Sequence, residues 1–228
     1  HKRIIKKGSG RKYLLTLEES VAMLLLYTRS YVTHIFLAAL FDLHESGVCR
    51  YFAKVRPVVE SVFDIPVEKT DLREDEILKL VVDATEQRTE RRSKGSGYSG
   101  KKKAETIKTQ VVVDEKGKIA HVSDSVPGNV HDKKLYDDSG VRLPDSAKGD
   151  LAYLGTNITI PHKSSKLRSL TKTQMLFNAC HSRRRIIVEH VFALLKSYGI
   201  LANRFRGHLK HYHQYFVIVC GLCNLARA

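Results

Sequence analysis

Apolar residues recur at helical spacing over the first quarter of the chain. Thr16 and Glu19 form the capping-box pattern that begins a helix, because each side chain can accept an otherwise unpaired backbone amide hydrogen. Apolar positions then recur every three or four residues over 21–41 and again over 48–55. Pro57 should kink or restart the last run, since proline has no amide hydrogen to donate. The pattern predicts three helices.

The second and third predicted helices are separated by a short polar turn at 42–46. This arrangement is typical of a helix-turn-helix, in which the later helix enters the major groove of DNA. Arg50 and Lys54 are expected to face DNA from the third helix, with Arg56 on another outer face. Cys49 is expected to face inward with the apolar residues. A small helical bundle used for packing or dimerisation has the same pattern, so both interpretations stay open.

The periodicity changes from helical to strand-like after the acidic segment 68–76. The apolar run 77–82 predicts a strand that ends at Asp83, and the runs 106–113 and 118–123 predict an antiparallel hairpin. The later part of the chain adds, in order, a short helix capped by Asn129, a possible strand, a long helix and a last helix, at 129–136, 158–160, 173–197 and 212–225. Strands interleaved with helices predict an α/β domain with a mixed sheet over 69–228, after a helical domain over 1–68.

The charge of the chain indicates its partner. The 228 residues include 39 Lys and Arg against 24 Asp and Glu, which gives a formal net charge of +15. A surplus of this size attracts polyanions, so nucleic acid is the expected partner. The hydrophobic fraction of 43% excludes a disordered chain, and 4 cysteines are too few for a disulfide scaffold. No uninterrupted apolar stretch reaches the roughly 20 residues of a membrane span. We therefore expect a cytoplasmic, nucleoid-associated protein without a membrane partner.

Two acidic residues in different parts of the chain are candidates for catalysis. Asp83 is expected where a strand projects it beside a loop, although an isolated acid in such a place more often caps the loop. Glu189 lies on the long helix with Arg185 and Lys196 on the same face. An Arg185–Glu189 ion pair along the helix is the simpler interpretation of that spacing.

A third acid is needed if the site holds two divalent ions, because each ion takes several oxygen ligands. Asp150 follows a weak strand and precedes a turn. Asp132 lies at a helix start, where a carboxylate can simply act as a cap. The spacing alone leaves both residues open.

A run of basic residues after the first predicted strand is a candidate phosphate-binding loop. Its glycines allow the backbone to approach DNA closely, and Tyr98 can stack on a base or sugar. A solvated loop is the simpler interpretation of a charge run, but the neighbouring Asp83 favours DNA contact. Arginines late in the chain are expected to extend this surface. The predicted DNA contacts beyond the helical domain are Arg91, Arg92, Lys94, Tyr98, Lys101, Lys102, Lys103, Arg183, Arg184, Arg204 and Arg206.

Five short motifs along the chain together resemble one family. They are VVDATEQ around Asp83, GYSGKKK over 97–103, PGNVHD over 127–132, GDLAYLG around Asp150 and RIIVEHVFALLK over 185–196. In this order they resemble the DDE-type insertion-sequence transposases of bacteria, a group similar to Harbinger-type transposases. The resemblance covers nearly the whole chain.

The resemblance implies an α/β RNase H-like mixed sheet with flanking helices, preceded by a small all-α helix-turn-helix domain. Asp83, Asp150 and Glu189 would bind two Mg²⁺ ions, or Mn²⁺ in their place, and Arg185 and Lys196 match the family's basic signature around the Glu. The implied activity is cleavage and strand transfer at transposon ends by two-metal phosphoryl transfer. The implied partners are double-stranded DNA, namely terminal inverted repeats and target DNA, and further copies of the chain assembled on that DNA.

Two positions differ from the family pattern. Ser182 stands where the signature has Tyr, and Leu151 and Ala152 follow Asp150 where Lys and Gly are usual. These differences keep a second interpretation open, a decayed or domesticated transposase that binds DNA without cutting it. A third interpretation, an RNA-cutting RNase H relative, shares the metal chemistry, but the helical N-terminal region argues against it.

Overall fold

The computed structural model describes residues 14–63, 65–67, 72, 80–90, 97–165 and 169–227. Helices flank one sheet, and two short 3-10 turns lie at Leu151–Tyr153 and Leu209–His211. The strands are β1 (Val81–Arg88), β2 (Tyr98–Ser99), β3 (Ala104–Val113), β4 (Ile119–Val122) and β5 (Val126–Pro127). The helices are α1 (Leu17–Ser30), α2 (His34–Leu40), α3 (Glu45–Val62), α4 (Asp132–Ser139), α5 (Lys172–Leu195), α6 (Gly199–Ala202) and α7 (Tyr212–Leu225).

The three predicted N-terminal helices are confirmed as α1, α2 and α3. Thr16 caps α1 through the expected box: its hydroxyl accepts from the Glu19 amide at 3.2 Å, and the Glu19 carboxylate accepts from the Thr16 amide at 2.7 Å. Pro57 was expected to kink or restart this helix; the restart is wrong, because α3 continues through Pro57 to Val62. Val55 and Val59 are buried on either side of Pro57, and packing of this kind stabilises a helix against the loss of one hydrogen bond. Cys49, expected inside, is exposed.

Arg56, which was expected on an outer face of α3, is instead buried with 5% exposure. Its guanidinium donates to the Gln214 side chain at 2.7 Å and to the Tyr215 hydroxyl at 3.2 Å, and it contacts His211 Nδ1 at 2.7 Å. The guanidinium also lies over the Tyr215 ring. The physical reason is that α3 packs on a second face, against α7, where a buried cation needs several acceptors. Arg56 therefore joins the helical region to the end of the chain.

The sheet is mixed, as predicted. Strand β3 pairs antiparallel with β1, β2, β4 and β5, and the predicted hairpin is the β3–β4 pair. The other edge of β1 has isolated parallel bridges, Val81 to Lys148 and Thr89 to Phe205, and Lys148 in turn bridges to Thr159 in parallel. Asp83 is the third residue of β1, so the expectation that the strand ends there is wrong. The strand continues because residues 84–88 pair with β3.

The sheet separates two apolar layers. Alternate residues of β1 and β3 point to opposite sides: Val81 and Val111 pack with α5 and α7, whereas Val82 and Val112 pack against α4 and the turn at Leu151–Tyr153. The predicted last helix agrees with α7 at both ends, and the long helix agrees with α5 to within two residues. The N-cap position of the short helix α4 is His131 and not Asn129, and the His131 side chain makes no capping hydrogen bond.

The predicted boundary between residues 68 and 69 lies outside the described residues, as do residues 77–79 of the predicted first strand. Among the helices that the structure describes, none combines the length and apolar character required to cross a membrane.

Gly221 marks the closest approach of α7 to the end of α3. A Cβ atom at this position would overlap the ring of Phe63, whereas a Cβ at Gly100 meets no atom within 4 Å. Overpacking typically costs about 1–3 kcal/mol, and alanine recovers only about 1 kcal/mol of helix propensity. We expect Gly221→Ala to lower the free energy of unfolding by about 1–2 kcal/mol in urea denaturation. Gly100→Ala is the control, and equal stability of the two variants would contradict the packing assigned to Phe63.

Candidate active site

A cleft of about 500 Å³ opens along the free edge of β1. The four consecutive residues Asp83, Ala84, Thr85 and Glu86 line it, because this stretch of the edge lies between the bridges at Val81 and Thr89. The opposite walls come from the turn after β2, from the segment that leads into α4, and from α5. Together with β2, Lys108 on β3 and Asp150 before the turn at Leu151–Tyr153, they contribute Tyr98, Ser99, Gly100, Lys101, Lys102, Lys108, Gly128, Asn129, Val130, His131, Asp132, Asp150, Phe192 and Lys196.

Parallel pairing brings Asp83 and Asp150 to the same end of the cleft. Val81 and Lys148 form a parallel bridge, and the Val82 amide donates to the Lys148 carbonyl at 2.9 Å. Each aspartate follows two residues beyond the bridge on its own segment, so the two lie at the same level and on the same side. The Asp150 carboxylate accepts from the Ala152 amide at 2.8 Å, and the fully buried Tyr153 holds this turn against the sheet. Two of the three predicted acids are therefore neighbours.

Asp83 is largely enclosed, and both of its oxygens accept hydrogen bonds. Oδ1 accepts from the Ala84 amide at 2.8 Å, and Oδ2 accepts from Arg185 Nη2 at 2.9 Å. Burial raises the pKa of Asp83 above its usual value, the nearby Asp150 carboxylate raises it further, and the Arg185 guanidinium and the Ala84 amide oppose this shift. The net pKa shift is upward because the effect of burial is larger than the opposing effects of Arg185 and the Ala84 amide.

Asp132, the rival candidate for the third acid, lies in the same cleft but is already paired. Lys108 Nζ donates to Asp132 Oδ1 at 2.8 Å and to the Val130 carbonyl at 2.7 Å. The pair is well enclosed, with 13% and 22% of the two side chains exposed. Its lysine is directly opposite Glu86 in the β1–β3 register. Asp132 therefore balances a local cation, whereas Asp150 faces Asp83.

Glu189 is exposed on α5 and is not among the residues that line the cleft. It shares a helical face with Arg185, Phe192 and Lys196, because steps of four, three and seven residues stay within about 60° at 100° per residue. All three of these neighbours contact the cleft or its aspartate. Within the described ranges, no group of three or more His, Cys, Asp and Glu side chains is arranged to hold a metal ion. Glu189 as a ligand stays a prediction.

Several of the predicted DNA contacts surround the cleft, and others have internal partners. Tyr98, Lys101, Lys102 and Lys196 line it, and Lys103 is exposed beside them. Arg183 and Arg184 are exposed on α5, and Arg50 and Lys54 are exposed on α3. Arg204 donates to the Thr89 carbonyl at 3.3 Å, and Arg206 stacks over the Tyr31 ring and donates to the Tyr31 carbonyl. Arg91, Arg92 and Lys94 lie outside the described residues.

Two polar residues of the cleft, Glu86 and Lys108, were not predicted from the sequence. Thr106 donates to Glu86 Oε1 at 2.6 Å, and a Cβ at Gly128 would overlap the Thr106 hydroxyl, so only glycine lets the segment before α4 lie this close. Glu86 lies three residues after Asp83, beyond the predicted end of the strand, and Lys108 lies opposite it only through the pairing of β1 with β3. The pairing of β1 with β3 was the missing information.

Comparison with known families adds an independent finding. Residues 82–224 match the family model described as DDE superfamily endonuclease. Residues 13–64 match the model described as helix-turn-helix of DDE superfamily endonuclease. The first match includes all of the cleft, and the second includes α1, α2 and α3.

Individual relatives agree with these matches. A curated protein of Microchaete diplosiphon, "Probable transposase for insertion sequence element IS702", is 33% identical over 96% of this chain and 84% of its own length. A relative from Streptomyces albus G, assigned to insertion sequence element IS112, is 28% identical over 89% of this chain and 78% of its own length. The solved Mos1 transposase paired-end complex with left transposon end aligns with 98% of this chain and 79% of its own, at 10% identity and a TM-score of 0.26, a likeness too small to establish a shared fold.

Proposed function

The chain belongs to the DDE superfamily endonucleases as an insertion-sequence transposase, and from this premise we propose that it cuts transposon ends and joins them to target DNA by metal-assisted phosphoryl transfer. The proposal assigns residues 69–228 to an RNase H-like catalytic domain and residues 1–68 to a DNA-reading domain. Such a protein would act on the chromosome, in the nucleoid. The observation that supports the proposal most strongly is the pair Asp83 and Asp150, side by side in a cleft rimmed by lysines.

The donor set fits a divalent cation. Carboxylate oxygens are the ligands that Mg²⁺ and Mn²⁺ take from proteins, and Asp83 and Asp150 both line the cleft. Asp83 and Asp150 would hold the ions, and Glu189 would reach the same place from the face of α5 that bears Lys196. When bound, divalent cations would activate the attacking oxygen and stabilise the leaving oxygen of the scissile phosphate.

The side chains around the acids would bind and orient the DNA. Lys101, Lys102 and Lys196 on the rim would neutralise phosphates on either side of the cut, which fixes the strand without reading its sequence. Tyr98, half exposed at the same rim, would stack on a base or sugar. The exposed Arg50 and Lys54 on α3 would approach the major groove. Two ends must be held together before joining, so we propose that copies of the chain assemble on DNA.

A DNA-binding protein without cleavage activity is the second candidate. Arg185 occupies one oxygen of Asp83, Ser182 replaces the family's tyrosine, and Leu151 and Ala152 follow Asp150. A chain of this kind would bind terminal repeats with the same basic surfaces but would leave them intact.

Cleavage of a DNA duplex that contains the element's terminal repeat separates the two candidates. We expect the purified chain to nick or cut this duplex at the repeat boundary with Mg²⁺ or Mn²⁺, and to show no cleavage after EDTA removes the metal. Gel analysis of an end-labelled duplex measures this, with a scrambled repeat as the control. Tight binding of the repeat with no cut in either metal would favour the binding-only protein, and preference for an RNA–DNA hybrid would favour an RNase H relative.

A further inference from the structure

We propose that Arg185 is a placeholder cation, which pairs with Asp83 in the metal-free chain and must be displaced before a divalent ion can bind there. The inference depends on the proposed function, because it takes Asp83 as a metal ligand. It assigns Arg185, which matches the family's basic signature around Glu189, a role in positioning Asp83 and in setting the metal affinity.

The geometry supports this role because Arg185, on α5, pairs with Asp83 on β1 and not with Glu189 on its own helix. Its Nη2 lies 2.9 Å from Asp83 Oδ2, and the two side chains are 19% and 18% exposed. The other oxygen of Asp83 accepts from the Ala84 amide. Arg185 therefore holds the one carboxylate oxygen of Asp83 that the backbone leaves available, next to Asp150 and at the end of the cleft.

The hydrogen bonding of Arg185 is incomplete, unlike that of a purely structural guanidinium. Its Nε is buried and has no hydrogen-bond partner among the residues that the structure describes. The buried Arg56, by contrast, has three polar partners from α7 and the turn before it. An unpaired buried donor raises the free energy of the state that contains it, so the Asp83–Arg185 pair is easier to exchange than the Arg56 network.

Electrostatic repulsion would displace Arg185 when a divalent ion binds to Asp83. A divalent ion at Asp83 and a guanidinium on the same carboxylate repel each other across a few ångströms, and the ion has two unit charges against one. Arg185 therefore competes with the metal and lowers its affinity, while it keeps Asp83 oriented before the metal arrives. Removal of the guanidinium charge should therefore tighten metal binding. Loss of a structural ion pair would instead weaken it, and loss of a phosphate contact would leave it unchanged in the absence of DNA.

The test measures binding of Ca²⁺ alone to the full chain, without DNA, by isothermal titration calorimetry. We expect Arg185→Gln to bind Ca²⁺ about tenfold more tightly than the unaltered chain. The control is Lys172→Gln, which removes an exposed cation from the first turn of α5 and should leave the affinity within about twofold. Equal or weaker Ca²⁺ binding by a folded Arg185→Gln variant overturns the proposal.

Two further measurements keep the outcomes apart. Asp83→Asn should abolish the tight Ca²⁺ site. If the unaltered chain binds no Ca²⁺ at Asp83, the proposed metal chemistry is overturned together with the role of Arg185. If Arg185→Gln does not fold, the side-chain ¹⁵N resonances of Arg185 in the unaltered chain provide the answer. They should shift when Ca²⁺ is added, and resonances that stay unchanged while Ca²⁺ binds would overturn the placeholder role.

Discussion

Replacing Asp83 by asparagine is expected to reduce metal-dependent DNA cleavage by about 10³-fold, with little change in DNA affinity. Asparagine has nearly the shape of aspartate and keeps one acceptor oxygen, so it can keep the hydrogen bond from the Ala84 amide while its NH2 group replaces the oxygen that accepts from Arg185. It removes the negative charge that a divalent ion needs, and each factor of ten in rate corresponds to about 1.4 kcal/mol of lost transition-state stabilisation. Single-turnover cleavage of an end-labelled duplex and fluorescence anisotropy measure the rate and the affinity separately.

The matched control for this variant is Asp138→Asn. Asp138 is an exposed acid on α4 whose partner, Lys134, is also exposed, so its loss should change neither cleavage nor binding measurably. Thermal unfolding should show that both variants remain folded. Cleavage by Asp83→Asn within tenfold of the unaltered rate would remove Asp83 from the metal site, whatever its affinity for DNA.

Local patterns predicted much of the fold because the helices and the hairpin are encoded by neighbouring residues. The capping box at Thr16 begins α1 as expected, and the apolar run of α7 sets both ends of that helix. Arg56 was misplaced because its burial depends on α7, which is more than 150 residues away along the chain. Helical periodicity identifies the face that packs inside a small bundle, but it does not reveal a second face that packs on a distant helix.

The candidate site was predicted only in part, for a similar reason. The motif around Asp83 and the motif around Asp150 identified two acids that the parallel bridge at Lys148 brings together. A single bridge leaves almost no periodic signal, so spacing could not choose between Asp150 and Asp132. The sequence also did not predict that Arg185 pairs with Asp83 and not with Glu189. Helical spacing predicts which residues are neighbours along a helix, but it does not predict contacts with a strand that packs against the helix.

Substitution of the two rival acids should separate their roles. Asp150→Asn is expected to lower cleavage by about 10³-fold, as for Asp83→Asn, because Asp150 lies beside Asp83 and would share the same ions. Asp132→Asn should lower cleavage by less than about tenfold, since its carboxylate is paired with Lys108 and its loss alters only the wall of the cleft. The measurement is the single-turnover rate of both variants at saturating Mg²⁺.

A second readout distinguishes a metal ligand from a wall residue. Asp132→Asn should leave metal binding nearly unchanged and should strengthen DNA binding slightly, because Lys108 loses the carboxylate that neutralises it while the Val130 carbonyl still holds its ammonium group. Asp150→Asn should weaken Ca²⁺ binding and leave DNA affinity nearly unchanged. If Asp132→Asn instead loses Ca²⁺ binding and cleavage while Asp150→Asn retains both, then Asp132 is the second ligand, and the metal must displace Lys108 from Asp132 as well as Arg185 from Asp83.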